Sequence, residues 1–141
     1  MGLDMYLTGD KFKRGEYDED FNEINVEYLD GFAIQSYRLN IGYWRKHSAL
    51  HGYIVSEFAH QGEDNCRPID LGVEDLRKIA KAIREDELPH TEGFYFGSDE
   101  LREAHRLQAE DDAKRFDKAI EWLEDNGGGQ YWHTVEYCAS W

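Results

Sequence analysis

The sequence predicts an α+β fold in which about three helices pack on one face of a mostly antiparallel sheet. Residues 3–7 and 131–141 alternate apolar and polar side chains, as half-buried strands do. Because the two terminal strands share this pattern, we expect them to pair with each other. Apolar residues recur every three or four positions over 73–85, which predicts a helix. The length of 141 residues is typical of a single domain, residues 1–141.

The N-terminal third is predicted to be mainly β-structure. Residues 8–23 are polar and contain two glycines, which indicates a loop after the first strand. Two further strands are expected, Ile24–Leu29 and Phe32–Leu39. The Asp30-Gly31 pair between them is typical of a hairpin turn, because glycine tolerates a positive φ.

A helix is predicted over residues 42–60, with Gly62 at its C-terminal end. The apolar or aromatic positions that recur there at helical spacing are Tyr43, His47, Leu50, Ile54 and Phe58. Residues 66–72 are predicted to form an edge strand, because Pro68 has no N–H to donate to a central ladder.

The helix expected over 73–85 has acidic residues in its first turn, where they complement the helix dipole. A compact aromatic run follows at 92–98, and Ser98 is a suitable N-cap for the next helix. That helix is expected to continue to about Asn126, with a kink near the polar turn at 107–112. Gly127 is expected to cap it.

Composition limits the classes of function. The net charge of −14 repels phosphate backbones and anionic membranes, so neither nucleic acid nor a membrane is an expected partner. No stretch approaches the roughly 20 apolar residues of a membrane span. The N-terminal residues lack the basic and apolar regions of a signal peptide. Two cysteines, Cys66 and Cys138, form no disulfide framework, which favours a reducing compartment.

His47 and His51 are spaced four residues apart, so a helix would place them on one face, about 6 Å apart. Zinc sites use this spacing, but the glutamate of an HExxH motif is missing here. The sequence fixes no third ligand; the residues that could supply one are Glu57, Asp64, Cys66, His105 and His133. We therefore favour hydrogen-bonded histidines at the edge of the core and expect no metal.

No catalytic residue or cofactor is predicted. Cys66 has Arg67 beside it, but Glu63 and Asp64 oppose ionisation of its thiol, so an ordinary cysteine is favoured. Carboxylate pairs lie in charged runs that are usually solvated, and no glycine-rich phosphate loop opens a helix. The sequence leans against an enzyme.

Two features remain as candidate binding surfaces. Arg45 and Lys46 are basic residues on an acidic chain, and with Trp44 they form a patch suited to an anionic ligand or an acidic groove. The candidate ligand- or partner-binding residues are Trp44, Arg45, Lys46, His47, His51, Asp64 and Cys66. Residues 98–125 carry ten acidic and five basic side chains. DNA over the same length of about 40 Å would carry about 24 charges, so this helix alone is too dilute to mimic it.

Four stretches of the sequence resemble a group of small phage- and prophage-encoded proteins. They are "MGLDMYL" at residues 1–7, "GYWRKHSALHGYIV" at 42–55, "DNC" at 64–66 and "GFYFGS" at 93–98. One departure is Leu50, where the group has isoleucine before the histidine. The resemblance implies a viral accessory role in the cytoplasm of a bacterial host, and it assigns no catalytic residue.

Three functions are therefore open at this point. The first is a non-catalytic phage accessory protein that binds a host or phage protein and inhibits a host defence system. The second is a small anionic-ligand binder or enzyme with a site around Arg45, Lys46, His51 and Cys66. The third, weaker alternative is an acidic DNA mimic.

Overall fold

The computed structural model describes residues 2–89, 99–125 and 131–141. Over these residues the fold is α+β, as predicted, with four helices rather than about three. The strands are β1 (Asp4–Lys13), β2 (Glu16–Tyr17), β3 (Glu23–Ile24), β4 (Tyr28–Leu29), β5 (Phe32–Ala33), β6 (Ser36–Arg45), β7 (Ile69–Leu71) and β8 (Tyr131–Ser140). The helices are α1 (Ser48–Phe58), α2 (Val73–Arg84), α3 (Asp99–Leu107) and α4 (Ala109–Asp125).

The terminal strands pair in the middle of the main sheet, which confirms that prediction. The antiparallel order is β6-β1-β8-β7, and β1 pairs with β8 from Asp4 opposite Ser140 to Lys13 opposite Tyr131. The short strand β7 lies at one edge, as the proline at its start predicts. The other edge is β6.

The core lies between the helices and one face of this sheet. Met5 and Leu7 in β1 and Val135 and Tyr137 in β8 are buried, while Tyr6 between the first two is exposed. The buried face contacts the helices through rings that pack together, such as Trp44 of β6 on Phe116 of α4. Alternation along the strands therefore fixes which face the helices cover.

Strand β1 is longer than predicted. It includes a glycine from the expected loop, and the packing of the core requires a glycine at this position. A Cβ atom at Gly9 would lie 2.7 Å from Cζ3 of Trp122, so the strand passes too close to α4 for any side chain. The expected loop over 8–23 is therefore wrong in part. Its first half continues β1 to Lys13, and β2 pairs with β3 around the rest.

The helix predicted over 42–60 is wrong in its first turn and a half. Tyr43, Trp44 and Arg45 are the end of strand β6, with Trp44 opposite Met5 of β1. The chain then turns at Lys46, which has a φ of 55° and donates its backbone N–H to the Leu3 carbonyl at 2.7 Å. Helix α1 begins only at Ser48.

The Asp30-Gly31 turn is confirmed. Both residues have a positive φ, 52° and 84°, and Leu29 lies opposite Phe32 across the turn. The paired strands are much shorter than the predicted ones, since β5 ends at Ala33 and β6 starts separately at Ser36.

The remaining elements follow the prediction where they are described. Helix α2 occupies the expected range, and the predicted kink lies at Gln108 between α3 and α4. The aromatic run at 92–98, the Ser98 cap and the Gly127 cap lie outside the described residues. Of the helices in the described part, none is both long and apolar enough to cross a bilayer.

Candidate functional site

The residues that the sequence singled out lie in separate places rather than at one site. Trp44 belongs to the core: it is 5% exposed, stacks on Phe116 with ring centroids 5.5 Å apart and donates its indole N–H to Asp112 Oδ1 at 2.9 Å. The other oxygen of Asp112 is buried without a hydrogen-bond partner. Burial raises the pKa of this carboxyl group. Trp44 is therefore not available as a docking residue.

Arg45 and Lys46 do not belong to the helix predicted over 42–60, because α1 begins only at Ser48. Arg45 is an exposed strand residue opposite Asp4, and Lys46 forms the turn after the strand. Their side chains flank the N-terminal segment: a Cβ at Gly2 would lie 3.2 Å from Lys46 Cε and 3.7 Å from Arg45 Nε. The backbone of this pair contacts His105, the ring that stacks on His47, but neither residue lines the cavity beside His51.

His47 caps α1 rather than sitting on its face. Its Nδ1 accepts the Leu50 N–H at 3.4 Å, and its ring stacks on His105 of α3 with centroids 4.1 Å apart. Burial, and then the neighbouring His105, lower the pKa of His47 from 6.5 to about 3. Both rings are therefore held neutral and serve to dock α3 on the start of α1.

A cavity of about 310 Å³ adjoins these rings, but two of the three arginines that line it already form ion pairs. Arg84 forms ion pairs with Glu110 and Asp117, and Arg106 pairs with Asp86 and with Glu103. An anionic ligand would meet those carboxylates together with the guanidinium groups. The charge balance around the cavity therefore gives no preference for an anion.

His51 is the centre of a buried hydrogen-bonded link. Its Nδ1 lies 2.5 Å from the Tyr137 hydroxyl oxygen, and its Nε2 lies 2.9 Å from Asp64 Oδ2. A carboxylate only accepts, so Nε2 donates to Asp64, and Nδ1 then accepts the Tyr137 O–H in a neutral ring. Burial raises the pKa of Tyr137 well above its usual value, which keeps the hydroxyl a donor.

This link has the residue types of a proton relay but no room for a substrate. The adjoining cavity measures about 10 Å³, about the minimum that admits one water molecule. Within the described ranges, no group of three or more His, Cys, Asp or Glu side chains is arranged to hold a metal ion. What the hydrogen bonds of His51 do is connect three parts of the fold, namely α1, the loop at Asp64 and β8.

Cys66 lies beside the same cavity, in a turn with a φ of 60°. Its backbone carbonyl accepts a hydrogen bond from Cys138 Sγ at 3.5 Å. Burial raises the pKa of the Cys138 thiol, which reduces its thiolate fraction. Neither thiol is oxidised to a disulfide here.

Among the described residues, a concentration of exposed apolar side chains lies elsewhere, on the segment between β1 and β6. We call residues 15–35 the acidic arm; it contains β2, β3, β4 and β5. Large apolar side chains that point into solvent on the arm are Tyr17, Phe21, Ile24, Tyr28, Leu29 and Phe32. Phe21 is 88% exposed and Phe32 is 78% exposed. Such a concentration of exposed aromatics is typical of an interaction surface.

The arm is also strongly one-sided in charge. It contains seven acidic residues and no lysine or arginine: Glu16, Asp18, Glu19, Asp20, Glu23, Glu27 and Asp30. This one segment therefore accounts for a charge of −7 in a chain whose net charge is −14. A surface that combines aromatic anchors with negative charge complements a basic protein surface.

The arm is fastened to the sheet by its acidic residue Glu27. The Glu27 carboxylate accepts hydrogen bonds from the Tyr37 hydroxyl and, at 2.9 Å, from the Tyr131 hydroxyl. The hydrogen bond from Tyr37, and to a lesser extent the one from Tyr131, lowers the pKa of Glu27. Lys13 adds a bond from its ammonium group to the Asn25 carbonyl. The exposed aromatics therefore project from an anchored hairpin pair.

Phe21 is held in an ordered but strained turn. Its φ is 62°, in the left-handed region that bulky residues rarely adopt. The turn is closed by Asp18, whose Oδ1 accepts the N–H groups of Asp20 and Asn22, each at 2.9 Å. A glycine or asparagine would satisfy this backbone more easily. The turn therefore keeps the Phe21 ring exposed at a cost in backbone conformational energy.

Sequence reasoning missed the arm because it predicted a loop over 8–23 and two strands over 24–39 and gave this segment no role in binding. The available signal was the charge pattern: 21 consecutive residues, 15–35, without a basic side chain. A strand face that must be buried alternates apolar and polar residues, whereas Tyr17 and Phe21 flank the three acidic residues 18–20. That combination indicates exposure.

Comparisons with known proteins found nothing similar. No family model matches the sequence, and neither a curated protein nor a solved structure matches it. The function is therefore inferred from the surface of the arm, its charge and its anchoring.

Proposed function

We propose that this chain is a non-catalytic accessory protein of phage or prophage origin that docks its acidic arm on a basic surface of a host or phage protein. Blocking that surface is a means of inhibiting a host defence system. The observation that carries the proposal is the display of Phe21, almost fully exposed and held at a positive φ in a hydrogen-bonded turn.

The aromatic side chains of the arm supply the binding energy in this account. Phe21 and Phe32 are large rings with most of their surface in water, so their transfer into pockets of a partner is favourable. Because the turn around Phe21 is closed by Asp18, little conformational freedom is lost on binding.

The acidic side chains of the arm select the partner. Seven carboxylates without a basic neighbour in the arm favour a basic surface and repel nucleic acid. The same charge opposes self-association through the arm, because two copies would bring two such segments together. A basic protein surface is therefore the occupant that fits.

The acidic helices α3 and α4 are a weaker surface for the same role. Arg84 of α2 pairs with Glu110 and Asp117, and Arg77 pairs with Glu124, so part of the negative charge is compensated within the chain. This internal pairing also weakens the DNA-mimic alternative. The anionic-ligand alternative is weakened because Arg45 and Lys46 do not line the cavity that His51 and Cys66 share.

Photo-crosslinking tests the proposal. A photoreactive phenylalanine analogue replaces Phe32 in the arm or, as a matched control, Leu107 in α3, which is 81% exposed. Each protein is irradiated in bacterial host lysate, and the crosslinked protein is identified and purified. We expect a product from position 32 and none of the same protein from position 107.

Binding of the purified partner then decides the role of the arm. Phe21→Ser and Phe32→Ser should each weaken affinity by about 30-fold, the effect of losing a hot spot of about 2 kcal/mol. Added salt should weaken the wild-type complex further. Capture from position 107 alone, or an affinity that neither arm variant changes, would refute the proposal.

A further inference from the structure

The edge of the sheet beside the arm is partly open. Within the described part of the chain, β6 has β1 as its one strand neighbour, and the residues from Ser36 to Asn40 are all exposed. An edge strand carries unpaired backbone N–H and C=O groups that can pair with another extended chain.

The C-terminal half of β6 is protected at two points. Leu7 pairs with Gly42 while Thr8 pairs with Asn40, so Ile41 is an extra residue that disrupts the edge. Further along, Arg115 of α4 donates to the Tyr43 carbonyl oxygen at 3.2 Å. Bulges and capped carbonyls both hinder strand addition.

The N-terminal half has neither protection. Lys13 N–H donates to the Gln35 carbonyl at 3.0 Å, so residue 35 directs its backbone groups towards β1. Because direction alternates along an antiparallel strand, the backbone groups of Ser36, Arg38 and Asn40 point to the free edge. These three residues, each two positions from the next, offer a row of backbone N–H donors and C=O acceptors.

Apolar cavities flank this open row. On the helix side, Leu39 and Ile41 line a cavity of about 360 Å³ together with Ala119 and Trp122 of α4. Towards the arm, Phe32 and neighbouring residues up to Tyr37 line a second cavity of about 390 Å³. A paired strand would place alternate side chains on the helix side, where the first cavity can receive them.

We propose that the partner adds an extended, basic segment as a strand to β6 along Ser36–Asn40, with apolar side chains in the cavity at Leu39 and Trp122. This inference rests on the proposed function and specifies how the partner binds. Basic residues beyond the Ser36 end of the strand then face the acidic arm. A second copy of the chain is disfavoured, since pairing of two β6 edges would bring two arms of seven carboxylates each together.

A display library of random peptides, each of about 10 residues, is the probe for this mode of binding. We expect enriched peptides to alternate apolar residues and to carry lysine or arginine towards one end. Ser36→Pro removes one outward N–H from an exposed edge position, and Ser36→Thr is the matched control. We expect about tenfold weaker binding to the proline variant alone, as for one lost hydrogen bond.

N-methylation of the selected peptide gives a second readout that needs no change in the protein. Methyl groups on alternate amides should abolish binding, and those on the intervening amides should not, because only one set of amides pairs with β6. Failure to enrich any peptide, or an effect without this alternation, would overturn strand addition. A dimer of this chain that dissociates on the Ser36→Pro change would also overturn strand addition by a partner.

These outcomes are separable from a failure of the proposed function. If the partner captured through position 32 binds Ser36→Pro and Ser36→Thr equally, protein binding by the arm stands and strand addition is wrong. If peptides add to β6 but Phe21→Ser and Phe32→Ser leave partner affinity unchanged, strand addition stands and the role of the arm is wrong.

Discussion

Arg115 donates a hydrogen bond to the backbone carbonyl oxygen of Tyr43, with Nη1 3.2 Å from the oxygen. Its guanidinium group also lies 5.6 Å from the centroid of the Trp44 ring. One side chain of α4 thus covers the edge of β6 and packs over the tryptophan next to it. The β6 edge of the sheet is closed at this end and open at the arm, so a partner strand can add to β6 only at the end beside the arm.

Arg115→Ala should lower the free energy of unfolding by about 1 kcal/mol, because it removes a hydrogen bond and a cation–π contact. Arg115→Lys keeps the charge but not the planar group, so it should recover part of the loss. Urea unfolding of the three proteins measures this. Equal stability of all three would show that the Tyr43 carbonyl does not need the contact.

Phe21→Asn should stabilise the isolated protein by about 1 kcal/mol and weaken its complex. Asparagine tolerates the φ of 62°, and little packing is lost with the ring because Phe21 is 88% exposed. The matched change Phe32→Asn, at another exposed aromatic, should weaken binding without relieving backbone strain. Thermal or urea unfolding, read beside partner affinity, separates the two effects. If Phe21→Asn destabilises the fold, Phe21 is a structural residue of the turn.

Asp112→Asn should raise stability at pH 7 by about 1 kcal/mol. Burial raises the pKa of Asp112, so the folded state holds the proton more tightly than the unfolded chain. Stability therefore falls as the pH rises from about 3.8 through the raised pKa, and the cost of the buried charge remains at pH 7. Asparagine keeps an acceptor for the Trp44 indole N–H, whereas Asp112→Ala loses it.

Urea unfolding at pH 4 and at pH 7 checks this, with Asp112→Ala as the second variant. The free energy of unfolding of the asparagine variant should increase relative to that of the wild type as the pH rises. The alanine variant should be less stable than the asparagine variant at both pH values. A wild type that is more stable than Asp112→Asn at pH 7 would show that the charge itself is favourable at this position.

The fold should lose stability in acid because of His47. Its pKa is about 3 in the folded state against 6.5 for an unperturbed histidine, so the unfolded chain binds more protons between these values. Stability is therefore lost as the pH falls from about 6.5 towards 3, by up to about 1.4 kcal/mol per pH unit. His105 contributes in the same direction, because burial lowers its pKa too.

His47→Asn isolates this effect, since asparagine keeps an acceptor for the Leu50 N–H at the start of α1. The variant should show a shallower loss of stability between pH 6 and pH 4 (about one proton fewer taken up on unfolding). His60→Asn, at an exposed position, is the control and should keep the wild-type slope. Parallel slopes for wild type and His47→Asn would show that His47 is protonated in the fold.

The terminal strands, the Asp30-Gly31 turn and helix α2 were predictable because each depends on local pattern. The start of α1 was not, because residues 42–47 fit two periods at once. Trp44 lies in strand β6 opposite Met5, as the two-residue period of a strand allows. Tyr43 and His47, four residues apart, also fit the period of a helix. The choice is made by the sheet partner and by the positive φ of Lys46, which no local pattern shows.

The candidate site was predictable only in part for a related reason. His51, Asp64 and Cys66 were among the candidate residues and line one cavity, but the hydroxyl that hydrogen-bonds to His51 belongs to Tyr137, near the other end of the chain. The acidic arm was not predicted because an aromatic residue such as Phe21 is normally explained by burial. Its exposure depends on a turn whose geometry is set by backbone bonds to Asp18.

Residue-resolved amide hydrogen exchange on the free protein and on its complex with the captured partner tests docking through the arm most directly. The account predicts slower exchange on binding throughout residues 15–35 and at Ser36, Arg38 and Asn40, with α1 and α2 unchanged. Slower exchange confined to α3 and α4, or to the surroundings of His47 and His51, with the arm unchanged, would contradict it.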